Sequence, residues 1–161
     1  MITVAVLTLS DKGSKGERED LSGPLIQAML KGINAEVWYY EILPDEKDRI
    51  KAQLVEYCKK VDLILTTGGT GLSPRDVTPD ATLEVIDRQV PGVAEAMRFE
   101  GYKKTKRAML SRAVAGVRGR TLIINLPGSP KAVKENLEAI IDVIPHAIEK
   151  IKGDPSECAT Q

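Results

Sequence analysis

A three-layer α/β/α sandwich with a mostly parallel central sheet is the fold this sequence predicts, and three observations predict it. Short aliphatic runs alternate with stretches of helical periodicity along most of the 161 residues. The runs at residues 2–9, 61–65 and 121–126 are apolar at nearly every position, the pattern of strands covered on both faces. Two of them end in glycine and proline: Gly68, Gly69 and Gly71 follow the second, and Pro127-Gly128-Ser129-Pro130 follows the third. Open α/β sheets bind ligands at such strand ends. One short antiparallel element is expected near residues 108–117.

Taken in order, residues 2–9 form the first strand, with Ser10 and Asp11 at its C-terminal end. Residues 11–20 are polar, with Gly13 and Gly16, and read as a mobile surface loop placed where a lid would sit. A helix opens at Asp20-Leu21-Ser22-Gly23-Pro24 and runs to about Lys31, with Leu21, Leu25, Ala28 and Met29 at helical spacing and Gly32 as C-cap. Residues 35–43 are β-prone and hold the single tryptophan, Trp38. Asp45 then reads as the N-cap of a helix over residues 46–60, whose buried stripe is Ile50, Leu54, Tyr57 or Cys58, and Val61.

After the glycines, Thr78 is expected as N-cap and Pro79 as first residue of a helix to Arg88, with Leu83, Val85 and Ile86 inward. Pro91 starts another through Arg98 or beyond, with Ala94, Met97 and Phe99 toward the core. Residues 101–107 are basic and read as a solvated face. Residues 108–114 and 121–126 read as strands joined through a turn at Arg118-Gly119-Arg120. Ser129 caps a last helix over residues 131–151, whose stripe is Leu137, Ile141, Ile144, Ile148 and Ile151, with a kink at Pro145. His146, the only histidine, lies off that stripe, which argues against histidine catalysis or a histidine metal site. Residues 1–152 are expected as one domain and 153–161 as a frayed tail.

Composition narrows the function classes. Apolar residues make up 42%, within the globular range. Lys plus Arg and Asp plus Glu stand at 23 each, which removes the electrostatic argument for nucleic acid or an anionic membrane surface. The chain shows neither an 18-residue apolar run nor a basic leader, so a cytoplasmic location is expected. Cys58 and Cys158 are a hundred residues apart, a spacing that supports no disulfide framework and no zinc site.

The stretch from Leu65 to Thr82 carries the chemistry. Glycines leave backbone amides uncovered and let a ligand approach closely, while Thr67 and Thr70 add hydroxyls; together they suit an oxyanion. A Walker loop would need Lys and Ser or Thr after Gly71, where Leu72-Ser73 stand, and the dinucleotide fingerprint is absent as well. Asp76 sits between glycines and helix. A carboxylate beside a phosphate site is repulsive on direct contact and favourable across a bridging Mg²⁺, which points to a metal-nucleotide site.

Thr67-Gly68-Gly69-Thr70-Gly71, Pro74-Arg75-Asp76-Val77-Thr78-Pro79 and Leu126-Pro127-Gly128-Ser129-Pro130 resemble the signature of the molybdenum-cofactor biosynthesis domain, in its molybdopterin adenylyltransferase branch. The resemblance runs from Val4 to about Lys152. A cousin family of nicotinamide-nucleotide processing enzymes has Gly-Gly-Leu-Gly in this loop, and Thr70 argues against it. The resemblance implies the same fold and a reaction in which Mg-ATP and molybdopterin give adenylylated molybdopterin and pyrophosphate. It implies Asp45 and Asp76 as catalytic carboxylates and Mg²⁺ ligands. It implies Gly68, Gly69, Thr70 and Gly71 on phosphate, and Ser10 and Asp11 near the site. It places Ser111 and the Pro127, Gly128 and Ser129 turn on the substrate side, the two turns sharing one cleft. A homotrimer, and hand-over of product to a molybdenum insertase, are implied too. The same fold also serves scaffolding proteins and relatives that have lost catalysis; both Asp45 and Asp76 being present favours an enzyme.

Overall fold

The computed structural model describes residues 1–155; Cys158 and the rest of residues 156–161 of the expected tail lie outside the described residues. Six strands form one sheet: β1 (Ile2–Leu9), β2 (Ala35–Leu43), β3 (Leu63–Thr67), β4 (Arg88–Gln89), β5 (Ala115–Arg118) and β6 (Thr121–Leu126). Their order is β2-β1-β3-β6-β5-β4. β2, β1, β3 and β6 pair in parallel, and β5 runs antiparallel to both β6 and β4.

Alternate residues of the central strands feed two cores, which is why these runs are apolar throughout. Val4, Val6, Leu63, Leu65, Leu122 and Ile124 face helices α2 (Ser22–Leu30), α5 (Pro91–Lys104), α6 (Pro130–Ile140) and α7 (Ile144–Ile151). Ala5, Leu7, Ile64 and Ile123 face α3 (Lys47–Tyr57) and α4 (Thr78–Val85). The three-layer sandwich is thus as expected, with a longer antiparallel flank than the single element foreseen.

Several boundaries differ from the sequence reading. Residues 108–114 are not a strand: Lys106–Leu110 form a 3-10 turn, and the antiparallel hairpin is β5 with β6. α4 stops at Val85, and Arg88–Gln89 leave it to pair with β5. Val85 is buried as expected, whereas Leu83 is exposed and Ala81 and Thr82 turn inward in its place. Phe99 is 64% exposed rather than core. Leu21 is exposed too, and the buried stripe of α2 runs Ser22, Ile26, Leu30. Gly32 lies in a 3-10 turn, Lys31–Ile33, that ends at Asn34 in the left-handed region (φ 53°), so Asn34 makes the exit. The expected last helix is two, separated by a 3-10 turn at Ile141–Val143; Pro145 falls in the first turn of α7, where its missing N–H costs nothing. Gly153 and Asp154 stay tied to α7 through bonds to the Lys150 and Glu149 carbonyls. A one-turn helix, α1 (Asp11–Ser14), capped by the Ser10 hydroxyl, opens the segment read as mobile loop.

A buried polar knot joins the sheet centre to α4. The Asn125 side-chain amide donates to the Thr66 and Thr82 hydroxyls at 3.0 and 2.9 Å, and Thr82 donates to the Thr78 carbonyl. All three side chains are fully buried and satisfied, so the knot specifies where α4 starts relative to β3. Beside it, Gly68 (φ +96°) turns the chain out of β3 so closely that a Cβ would stand 2.4 Å from the Leu9 carbonyl oxygen.

Gly68→Ala is therefore expected to lose at least ~2 kcal/mol from left-handed strain and backbone overlap together. Gly32→Ala, whose Cβ would meet open space, is expected to be neutral or to gain about 0.5 kcal/mol. Urea unfolding of the two variants measures the contrast.

Candidate active site

The glycine turn and the β6–α6 turn meet at one sheet edge. The Gly68 amide donates to the Leu126 carbonyl at 3.2 Å, and the Thr67 hydroxyl donates to the Pro127 carbonyl at 2.6 Å. A Cβ on Gly128 would lie 3.3 Å from the Gly68 Cα. Ser129 caps α6 by accepting from the Ala132 amide, which turns the positive end of that helix toward the same place. The convergence expected of the two turns is thus what the structure shows. A cleft of about 520 Å³ opens between them, lined also by Thr8, Ser10, Arg18, Asp20, Ser22, Asp45 and Asp76.

Asp45 is not a helix cap. Glu46 holds that position, and Asp45 is bound reciprocally to Asp11: the Asp11 amide donates to Asp45 Oδ2 and the Asp45 amide to Asp11 Oδ1, both at 3.0 Å. The ends of β1 and β2 are laced together in this way. A Cβ on Gly69 would stand 3.1 Å from Asp45 Oδ1 and 2.4 Å from the Thr78 hydroxyl, so only a glycine lets the turn pass this close to the carboxylate. Burial raises the Asp45 pKa, the Asp11 amide offsets part of this, and the charges of Asp11 and Asp76 raise it again.

Asp11 lies at the rim, where Arg75 grips it with both ends of its guanidinium: Nε to Oδ2 at 3.0 Å and Nη2 to Oδ1 at 2.8 Å. That pairing holds the Asp11 pKa below the usual carboxylate range. Asp76 accepts from the Ser73 amide at 3.0 Å. Thr78, expected as a cap, is the first residue of α4, and its buried hydroxyl donates to the Gly68 carbonyl. The amides of Gly69, Thr70 and Gly71 donate to no protein acceptor among the described residues; of the three, only Gly69 lines the cleft, and Thr70, Gly71, Asp11 and Pro127 stand outside its lining. Thr70 is 93% shielded, and its carbonyl accepts from the Arg112 amide. Ser111 lines no part of the cleft; its hydroxyl accepts from the Ala113 amide, one residue away from that contact.

The family model of the probable molybdopterin binding domain matches residues 5–146. This chain belongs to that family. Among its relatives, the molybdopterin adenylyltransferase of Helicobacter pylori is 46% identical over 95% of this chain and 89% of its own length. The crystal structure of the molybdopterin biosynthesis enzyme MoaB of Thermus thermophilus superposes with a TM-score of 0.90 at 54% identity, covering 98% of this chain and all of that one. The tungsten cofactor synthesizing protein MoaB of Pyrococcus furiosus gives a TM-score of 0.87 at 38% identity, over 94% and 98% of the two chains.

Three side chains that shape or line the cleft of this family member escape a reading of its sequence. Arg112 clamps the glycine turn: its guanidinium donates to the Gly71 and Asp76 carbonyls and to both oxygens of Asp80 on α4. Asp20 ties the other wall. One of its oxygens accepts from the Ser22 and Gly23 amides, the other from the Thr8 and Tyr40 hydroxyls at 2.6 and 2.5 Å. Ser22 in turn donates to the Gly128 carbonyl at 2.8 Å. Arg18 is the single cation lining the cleft. For Asp20 the signal was present, an aspartate two residues before a helix start; Arg112 and Arg18 carried none.

Two half-buried carboxylates of the cleft have opposite signatures. Burial raises the Asp20 pKa, but the Thr8 and Tyr40 hydroxyls and the two amides outweigh it, and the net shift is down. Its stabilising contribution is present above the ordinary aspartate value of about 3.9 and is lost as pH falls through the lower folded value. Asp45 is shifted up, so its contribution is present below that ordinary value and is lost as pH rises through the folded one; at neutral pH its charge opposes folding. Asp20→Asn is therefore expected to lower stability at pH 7 by about 1 to 2 kcal/mol. Asp45→Asn is expected to leave the melting temperature unchanged or raise it. Thermal melts of both variants between pH 4 and pH 8 check the two signs.

Proposed function

We propose that this chain is a molybdopterin adenylyltransferase, which transfers AMP from Mg-ATP to the terminal phosphate of molybdopterin and releases pyrophosphate. The observation that carries this reading is the composition of the cleft. The Gly69 amide and the start of α6 offer donors for oxyanions, yet Glu19, Asp20, Asp45 and Asp76 line the same space against Arg18 alone. A bare triphosphate would be repelled by that lining; a triphosphate carrying a dication would be drawn to it. The names of the relatives supply the acceptor.

In the reaction so assigned, a pterin phosphate oxygen attacks the α-phosphorus of ATP, the new phosphoanhydride forms, and the bond to the β-phosphate oxygen breaks. The attacking group is already an oxyanion, so neither a base nor a covalent enzyme intermediate is needed. The chain's task is alignment and charge. The amides of Gly69, Thr70 and Gly71 would bind phosphate oxygens of the nucleotide. The Gly128 and Ser129 turn would hold the pterin phosphate, and the Thr67 bond to Pro127 and the Ser22 bond to Gly128 fix the distance between the two subsites. Ser10 borders this space, whereas Ser111 acts at most through the Arg112 contact to Thr70.

Asp45 and Asp76 fit a Mg²⁺ ion: both line the cleft, and the half-buried Asp45 carboxylate is raised in pKa first by burial and then by the charges of Asp11 and Asp76, a repulsion that a nearby dication would relieve. Bound there, Mg²⁺ would neutralise phosphate charge. Further parts of the reading are a cytoplasmic homotrimer that passes its product to a molybdenum insertase. Exposed Phe99, Tyr102, Met109 and Leu110, close together on α5 and the 3-10 turn after it, offer apolar surface for subunit contact. No helix among the described residues is long and apolar enough to cross a membrane.

Pyrophosphate release from Mg-ATP on addition of molybdopterin tests the activity. Protein that binds the pterin but releases none would be a binding module instead. Asp45→Asn and Asp76→Asn are expected to slow release on the order of 10²-fold or more, Asp76→Asn the more strongly, and a chelator should abolish it. Near-normal turnover by both variants would overturn the assignment. Light scattering should give about three times the 17.6 kDa chain mass.

A further inference from the structure

We infer that Arg75 is a phosphate-binding residue held in reserve by Asp11, and that it exchanges partners when the nucleotide enters. This inference rests on the adenylyltransferase reading and adds to it a residue and an order of contacts.

The argument begins with charge. Four carboxylates line the cleft and one arginine opposes them. The ligand supplies its own dication, but the phosphate oxygens that the dication does not reach still face a carboxylate-rich wall. Besides Arg18, which lines the cleft, Arg75 is a second cation beside it, outside the lining but adjacent in the chain to Asp76. It belongs to the segment that joins the glycine turn to α4, next to Asp76, and it reaches across the rim to Asp11. Arg112, the other arginine of this region, is committed to five acceptor contacts in Gly71, Asp76 and Asp80. Arg75 has Asp11 alone.

The Arg75 and Asp11 pair is also cheap to open. Both side chains are substantially exposed, 59% and 36%, and such pairs contribute little even with two good contacts. Asp11 does not become an orphan on release, since it keeps the Asp45 amide on Oδ1 and lies at the solvent-facing rim. Phosphate offers the same planar, two-point match to a guanidinium that Asp11 offers, with more charge. The exchange therefore replaces one two-point contact by a stronger one. It also ties the rim of the glycine turn to the ligand rather than to the start of α1.

Binding of Mg-pyrophosphate, and of Mg-ATP without pterin so that no acceptor is present, measured by calorimetry on the full chain, tests this. Asp11→Asn keeps the oxygen that accepts from the Asp45 amide and removes the competing charge. It is expected to tighten binding about two- to fivefold, the range of an exposed ion pair. Arg75→Ala is expected to weaken binding about tenfold or more. In the Arg75→Ala background, Asp11→Asn should give no gain, because the residue it liberates is gone. If the gain persists there, Asp11 acts only through its general field and the exchange is wrong. If Asp11→Asn weakens binding, Asp11 is itself a ligand and the exchange is again wrong. Asp11→Ser repeats the cycle should the asparagine variant fail to fold. Wild-type protein that binds neither probe would remove the adenylyltransferase reading together with this inference, whereas binding without the double-mutant pattern removes this inference alone.

Discussion

Everything at the ligand-binding edge depends on how closely Gly68 lies to its neighbours. Its Cα is squeezed between the Leu9 carbonyl at the end of β1 and Gly128 at the end of β6, while its own carbonyl takes the Thr78 hydroxyl and its amide bonds Leu126. Three strand ends and one helix start are thereby referred to a single backbone unit. Van der Waals contact is steep, so their relative positions are set within a few tenths of an ångström, closer than hydrogen bonds alone would hold them. The Asn125, Thr66 and Thr82 knot supports this point from below, and Arg112 and Asp20 brace its two sides.

The electrostatics pull the other way. Asp11, Asp45 and Asp76 are brought together with one arginine touching the group, and Asp45 is left with a pKa above the usual carboxylate range by burial and by its neighbours. The fold tolerates this because the knot and the two apolar cores carry its stability elsewhere. A site made only for stability would have paired Asp45 as fully as Asp20 is paired. The contrast is between two carboxylates in one cleft, one saturated with four donors and one held among like charges, the second being the kind of group that the proposed metal site calls for.

What the sequence makes legible is local. β1 and β2 fall at the boundaries that their aliphatic and aromatic runs suggest, and Ser129 with Pro130 starts α6 as such a pair should. Ile50, Leu54, Tyr57 and Val61 are the buried stripe of α3 and its exit. Three of the misreadings involve partners distant in the chain. Asp45 looks like a cap until Asp11, 34 residues earlier, is seen to share its hydrogen bonds. Arg88 and Gln89 continue a helical pattern but are captured by β5, and Arg112 was hidden in a stretch read as an ordinary strand. Cys58, expected as a free thiol, is one; burial pushes its pKa up to about 11, which makes it a poor nucleophile.

The place of β6 in the sheet bears on how the chain comes into being. This strand is nearly the last to be synthesised, yet it lies in the interior of the sheet, between β3 and β5. Until residues 121–126 have left the ribosome, β3 presents an unpaired edge whose first three residues are apolar, and the β4 and β5 pair has no sheet to join. The cleft is later still, because the Ser22 bond to Gly128 closes a loop of 106 residues. A nascent chain of this protein therefore has no ligand site to protect it, and the interval between emergence of β3 and arrival of β6 is when it is most open to wrong pairing.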